Sequence, residues 1–167
     1  PNKEPQKMGV AFADIFTGLY GVIAIQSALA MREKNNKGQQ IDLSLMDSMV
    51  AVLANQASNY FVSGSPPKRM GNKHPNIVPY QVFPTKDGYL IIAVGNNDQF
   101  ERLCKALELN DLHISSKYSD NQKRVQNREE LVDIISSQTK KYSKNDLKIL
   151  LELSKVPVGT VNNLEEV

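Results

Sequence analysis

The chain has 167 residues, 41% of them hydrophobic and 23% charged, with a formal net charge of +2. That composition is globular rather than disordered, and the length suits one ordinary domain or parts of two. The small charge, with no basic stripe or aromatic-basic motif, argues against a nucleic-acid partner. A single cysteine, Cys104, excludes an internal disulfide and a cysteine metal site, and fits a reducing, cytoplasmic setting.

Residues 1–8 are polar and read as an incoming loop. The opening Pro1 and a closing "NNLEEV", which reads as a helix just starting, predict an internal segment of a longer protein. A targeting segment upstream would move the protein to an organelle matrix. From Met8 to Met31 the only charged side chain is Asp14. The span is long enough to cross a bilayer. Asp14, Thr17, Gly18, Gly21, Gln26 and Ser27 interrupt it, and no aromatic belt or second span accompanies it, so no membrane partner is expected. A helix is predicted over Ile15 to Lys34, apolar on most sides and therefore buried, with Gly38 as its stop.

"QQIDLSL" alternates Ile41, Leu43 and Leu45, the period of a strand. A second helix is predicted from Met46 to about Gly64, with Asp47 suiting its dipole. The proline-rich "SGSPPKRMGNKHPNIVP" is a linker or functional loop. The domain reading is 1–62 as part of a larger helix–strand–helix domain, 63–79 as linker and active-site loop, and 80–167 as a small α+β domain. "YQVFPTKDGYLIIAVG" predicts a hairpin turning at Asp87-Gly88. Three capped helices follow: Asn96 with Gln99, Asn127 with Glu130, and Ser143 with Asp146. Cys104 falls at a helical apolar position and reads as core. "VPVGTV" reads as a short buried strand.

A carboxylate beside so much apolar surface costs several kcal/mol unless it is capped, paired or used. Three readings of Asp14 stay open: a helix cap, a membrane-embedded acid, or a catalytic carboxylate. The third gains from the helix start, where backbone N–H groups favour the ionised form and the side chain can act as a nucleophile toward an activated acyl group. No Ser-His-Asp set, phosphate-binding loop or dinucleotide fingerprint competes with it. Asp42 and Asp47 read as solvated and dipole-complementing residues. The "GNKHPNIVPY" loop is the next candidate, as a lid whose backbone and polar side chains meet a ligand, with His74 at its centre. Lys68, Arg69 and Lys73 could draw a phosphate toward it.

"ADIFTGLYGVIAIQSALAMREKNNKGQQIDLSLMDS" resembles the class III CoA-transferases, the carnitine-dehydratase/bile-acid-inducible-protein family. "SNYFVSGSPPKRMGNKHPNIVPYQVFPTKDGYLIIAVGNNDQFERLC", "NREELVDII" and "VPVGTVNNLEEV" continue the likeness in order. The resemblance implies an α/β fold: an internal fragment of an interlocked dimer, combining part of a Rossmann-like large domain with a small α+β domain. It places the active-site aspartate at Asp14. It implies transfer of CoA through an aspartyl anhydride and an aspartyl-CoA thioester, with no metal and no permanently bound cofactor, coenzyme A being a substrate. Acyl-CoA and a carboxylic acid are the implied partners, and Gly71, Asn72, Lys73, His74 and Asn76 the implied substrate loop. Formyl-CoA transferases carry a run of glycines in that loop, whereas here only Gly71 remains, which argues for a dicarboxylic acid and a succinyl-CoA donor over oxalate or formate. Pro157-Val158-Gly159-Thr160 stands where relatives carry "PCGP". Most CoA-binding residues of the family precede Asp14, so the resemblance implies that this segment is inactive alone. The alternatives are an α-methylacyl-CoA racemase, which would need a histidine from upstream, and a non-catalytic acyl-CoA-binding or dimerisation module.

Overall fold

The computed structural model describes residues 4–167. The chain divides into two compact units, Pro1–Arg69 and Met70–Val167. Together they combine helices with a small antiparallel sheet, the mixed class expected.

The first unit is helical. Helix α1 covers Phe12–Asn35, α2 Leu45–Ala51 and α3 Asn55–Ser63. Helix α1 stops at Asn36 rather than Gly38. Asn36 takes the left-handed conformation at φ 54°, one of the few that asparagine tolerates, and its N–H donates to Arg32 O at 2.8 Å. The strand expected at "QQIDLSL" does not form. Residues 37–44 pair with no strand among the described residues, and an extended segment without a ladder partner is not a strand. Its apolar side chains turn back onto α1 instead. A Cβ added to Gly21 would lie 3.3 Å from Leu43 Cδ2, so this glycine makes room for Leu43.

The expected second helix is broken in two. Ala54, at φ 47° and ψ −120°, ends the helical path between α2 and α3. The α2 start is better built than the sequence reading had it. Ser44 Oγ accepts from Asp47 N at 3.0 Å and donates to Asp47 Oδ2 at 2.7 Å, so Asp47 belongs to a reciprocal cap. Among the described residues of this unit only Ser48 is buried. The burial expected around α1 is not found among the described residues: Leu19, Val22, Ile23 and Ile25 are each more than half exposed. One short helix and one extended segment cover only a strip of a 24-residue helix. By length and composition alone α1 could cross a membrane.

The second unit has a closed core. Strands β1 (Tyr80–Pro84), β2 (Tyr89–Ala93) and β3 (Val158–Thr160) form an antiparallel sheet in the order β1-β2-β3. Tyr80 pairs with Ala93, Pro84 with Tyr89 and Leu90 with Thr160. Helices α4 (Asn97–Ala106), α5 (Asn110–Ile114), α6 (Asn121–Gln126), α7 (Arg128–Thr139) and α8 (Lys144–Leu153) lie between β2 and β3 in sequence. Phe83, Leu90 and Ile92 from the sheet meet Leu103, Leu131 and Leu147 from the helices, all fully buried. Cys104 joins them at 1% exposure, and burial pushes its thiol up to about 12, which keeps it unreactive.

The expected caps hold at two of three helices. Asn96 Oδ1 accepts from Gln99 N at 2.9 Å, and Ser143 Oγ accepts from Asp146 N at 3.1 Å. Asn127 does not cap α7. Its Nδ2 donates to Lys123 O and Lys117 O, closing the end of α6, and Glu130 pairs with Lys117. The hairpin turn forms as expected. Thr85 N donates to Gly88 O at 2.9 Å, and Asp87 Oδ1 accepts from Lys144 N at 2.6 Å, which holds the Asp87 carboxyl below the usual range.

Candidate active site

Asp14 occupies the third position of α1, inside the first turn. A capping residue must have non-helical backbone angles. That place belongs to Ala11, whose side chain makes no capping bond. The cap reading of Asp14 is therefore set aside. The Asp14 side chain is exposed, and its carboxylate has no hydrogen bond or ion pair among the described residues. The nearby Thr17 hydroxyl is turned away, donating to Ala13 O at 2.6 Å. What remains is a carboxylate in the positive field of a helix start, on an apolar wall, with its oxygens free. A groove of about 320 Å³ lies further along α1, lined by Tyr20, Ile23, Leu43 and Asp47. Asp47 and Ser48 in that groove are engaged around Ser44.

The loop residues Gly71, Asn72, Lys73, His74 and Asn76 belong to the second unit, in the segment that leads into β1. Gly71 sits at φ +65°, a conformation that suits glycine. Asn72 Oδ1 accepts from Val82 N at 3.1 Å, covering a main-chain donor on the outer edge of β1. His74 stacks on Tyr80 with ring centroids 5.0 Å apart, its main-chain N–H donates to Tyr80 O, and its ring Nδ1 accepts from Asn76 N at 3.1 Å. One ring nitrogen and one ring face of His74 are thus spent on holding the loop. Lys73 Nζ lies 2.9 and 3.1 Å from the two oxygens of Glu129, whose carboxyl this contact holds below its usual range.

Sequence reasoning missed the residues that grip this loop. They lie on α6 and α7. Asn121 accepts from Val78 N at 3.1 Å and donates to Asn76 O at 2.7 Å. Arg124 Nε donates to Val78 O at 2.9 Å, and Arg128 Nη2 to Pro75 O at 2.8 Å. With Lys73–Glu129 these contacts tie residues 73–78 of the loop to residues 121–129 of the two helices. Arg124 is 1% exposed. Its other two nitrogens reach Tyr118 O and Asn97 Oδ1, and its guanidinium lies 4.5 Å over the Phe100 ring. Burial pulls both arginines below the usual arginine range. The sequence held a signal. Positions 124, 128, 131 and 135 share one helical stripe, apolar at Leu131 and Ile135, so two arginines stood in phase with a core face. No group of His, Cys, Asp and Glu suited to a metal ion occurs among the described residues.

The two units together are a mixed helix-and-sheet assembly that carries an unengaged acid on one unit and a braced polar loop on the other. The family model described as CoA-transferase family III matches residues 1–167, and the chain belongs to that family. It is 50% identical over 166 residues to the succinate–glutarate CoA-transferase of Agrobacterium fabrum, covering 99% of this chain and 42% of that protein. It is 43% identical over 166 residues to the succinyl-CoA:glutarate CoA-transferase of Homo sapiens, covering 99% of this chain and 38% of that protein. The crystal structure of a CAIB/BAIF family protein from Brucella suis superposes with a TM-score of 0.77 at 52% identity, over 100% of this chain and 44% of that one. The chain spans less than half the length of these relatives.

Proposed function

We propose that this segment works within a CoA-transferase that moves CoA from succinyl-CoA to a dicarboxylic acid, with Asp14 as the nucleophile. The observation that carries the reading is the Asp14 carboxylate, exposed on the first turn of an apolar helix with both oxygens unengaged. Family membership and relatives named for succinate, succinyl-CoA and glutarate support the substrate class.

The chemistry conserves the thioester. An Asp14 oxygen attacks the thioester carbonyl, the C–S bond breaks, and CoA leaves as thiolate, giving a mixed anhydride. The thiolate attacks the Asp14 carbonyl carbon and expels the donor carboxylate, leaving an aspartyl-CoA thioester. The acceptor carboxylate displaces CoA to form a second anhydride. The thiolate then attacks the acceptor's acyl carbon and frees Asp14. Coenzyme A is substrate throughout, and no resident cofactor is required. The exposed apolar face of α1 is covered, on this reading, by the remainder of a full-length chain or its dimer partner rather than by lipid.

The test uses the full-length protein. Incubation with succinyl-CoA, trapping with hydroxylamine and digestion is expected to label the peptide that contains Asp14. D14N is expected to lower turnover by about 10³-fold or more, because an amide cannot take up the acyl unit as a carboxylate does. A label on another peptide, or full activity in D14N, would falsify the assignment.

A further inference from the structure

The four side chains that brace the loop are not equivalent. Asn121 uses both ends of its amide, and Arg124 spends Nε, Nη1 and Nη2 on three separate acceptors. Glu129 is exposed. Arg128 differs: it is 8% exposed, Nη2 holds Pro75 O, and Nη1 is buried with no partner. Its one hydrogen bond among the described residues is therefore the contact with Pro75 O. Pro75 lies between His74 and Asn76, the middle of the candidate substrate loop, and proline itself offers no N–H through which the backbone could be held. Its carbonyl is the handle, and Arg128 is what holds it.

We propose that Arg128 is a positioning residue for the acceptor acid, fixing the 73–76 loop through Pro75 O. This rests on the reading of that loop as a substrate loop. The two substrates feel its displacement unequally. Succinyl-CoA brings the large CoA moiety to its binding. A free dicarboxylate has little beyond its two carboxylates. Moving the loop therefore weakens the acceptor first, and a displacement near one ångström is enough to be costly.

The experiment compares R128Q, R128K, K73A and H74A in the full-length protein. R128Q is expected to raise the acceptor KM about tenfold and leave the succinyl-CoA KM within about twofold. R128K keeps a donor for Pro75 O and is expected to recover most of the loss. Thermal melting accompanies the kinetics, since a purely structural arginine would lower the folded fraction and leave both KM values alone. If K73A or H74A raises the acceptor KM while R128Q does not, the positioning role falls and the loop reading stands. If none of the four variants moves it, the loop reading falls and takes the proposal with it. Equal rises in both KM values, or no recovery in R128K, also overturn the proposal.

Discussion

Arg124 is the largest fully buried side chain among the described residues. Its charge is desolvated, yet three acceptors and an aromatic face surround it. R124M removes the charge and keeps most of the volume, but strands Val78 O, Tyr118 O and Asn97 Oδ1. At about 1–3 kcal/mol for each unsatisfied buried group, the expected loss is about 3 kcal/mol or more by denaturant titration. A loss below about 1 kcal/mol would show that water replaces the guanidinium. Asp14 and Arg124 mark the two ends of legibility. Asp14 was visible because a single charge in an apolar span is a local anomaly, whereas its position inside the turn was not, since cap and first-turn positions differ by a few residues. The partners of Arg124 stayed hidden because two of its three acceptors are main-chain carbonyls, one of them 46 residues away, and carbonyls leave no mark on a sequence.

Helix caps and strands separate along the same line. The Asn96 and Ser143 caps and the hairpin were legible because their signals are complete within four residues. Asn127 had the right spacing and another job. The difference can be measured. If Asn127 capped α7, N127D would be neutral or stabilising, since aspartate caps as well as asparagine. Here its Nδ2 donates to two carbonyls, and aspartate cannot donate, so N127D is expected to cost about 1 kcal/mol. S143A is expected to cost about the same for the opposite reason, the loss of an acceptor at a true cap. The strand expected at 39–45 failed for a non-local reason: alternation fixes which side chains share a face, but a strand exists only where a neighbour supplies its ladder.

At the scale of the whole molecule the two units have different prospects. Residues 70–167 enclose a continuous core, and as a separate polypeptide they are expected to be soluble and to melt cooperatively. Residues 1–69 are expected to aggregate or stay unfolded alone, because an exposed apolar helix is not offset by any buried cluster among the described residues. Failure of 70–167 to melt as one unit would contradict this division. Its stability should also fall in acid. Lys73, Lys117 and the Lys123 N–H hold Glu129, Glu130 and Asp120 below the ordinary carboxylate range. Lowered folded values favour folding above the unfolded value of about 4, and that advantage is lost as pH falls through the folded values. Melting temperatures of 70–167 between pH 7 and pH 3 are expected to decline, modestly for such exposed pairs. The bracing of residues 73–78 by residues 121–129 has a further consequence for how such proteins could diversify or be re-engineered. A single residue added or removed between Lys73 and Val78 misaligns the contacts beyond it. A loop transplanted here would keep its conformation only if the helical stretch 121–129 were transplanted with it, as one heritable cassette.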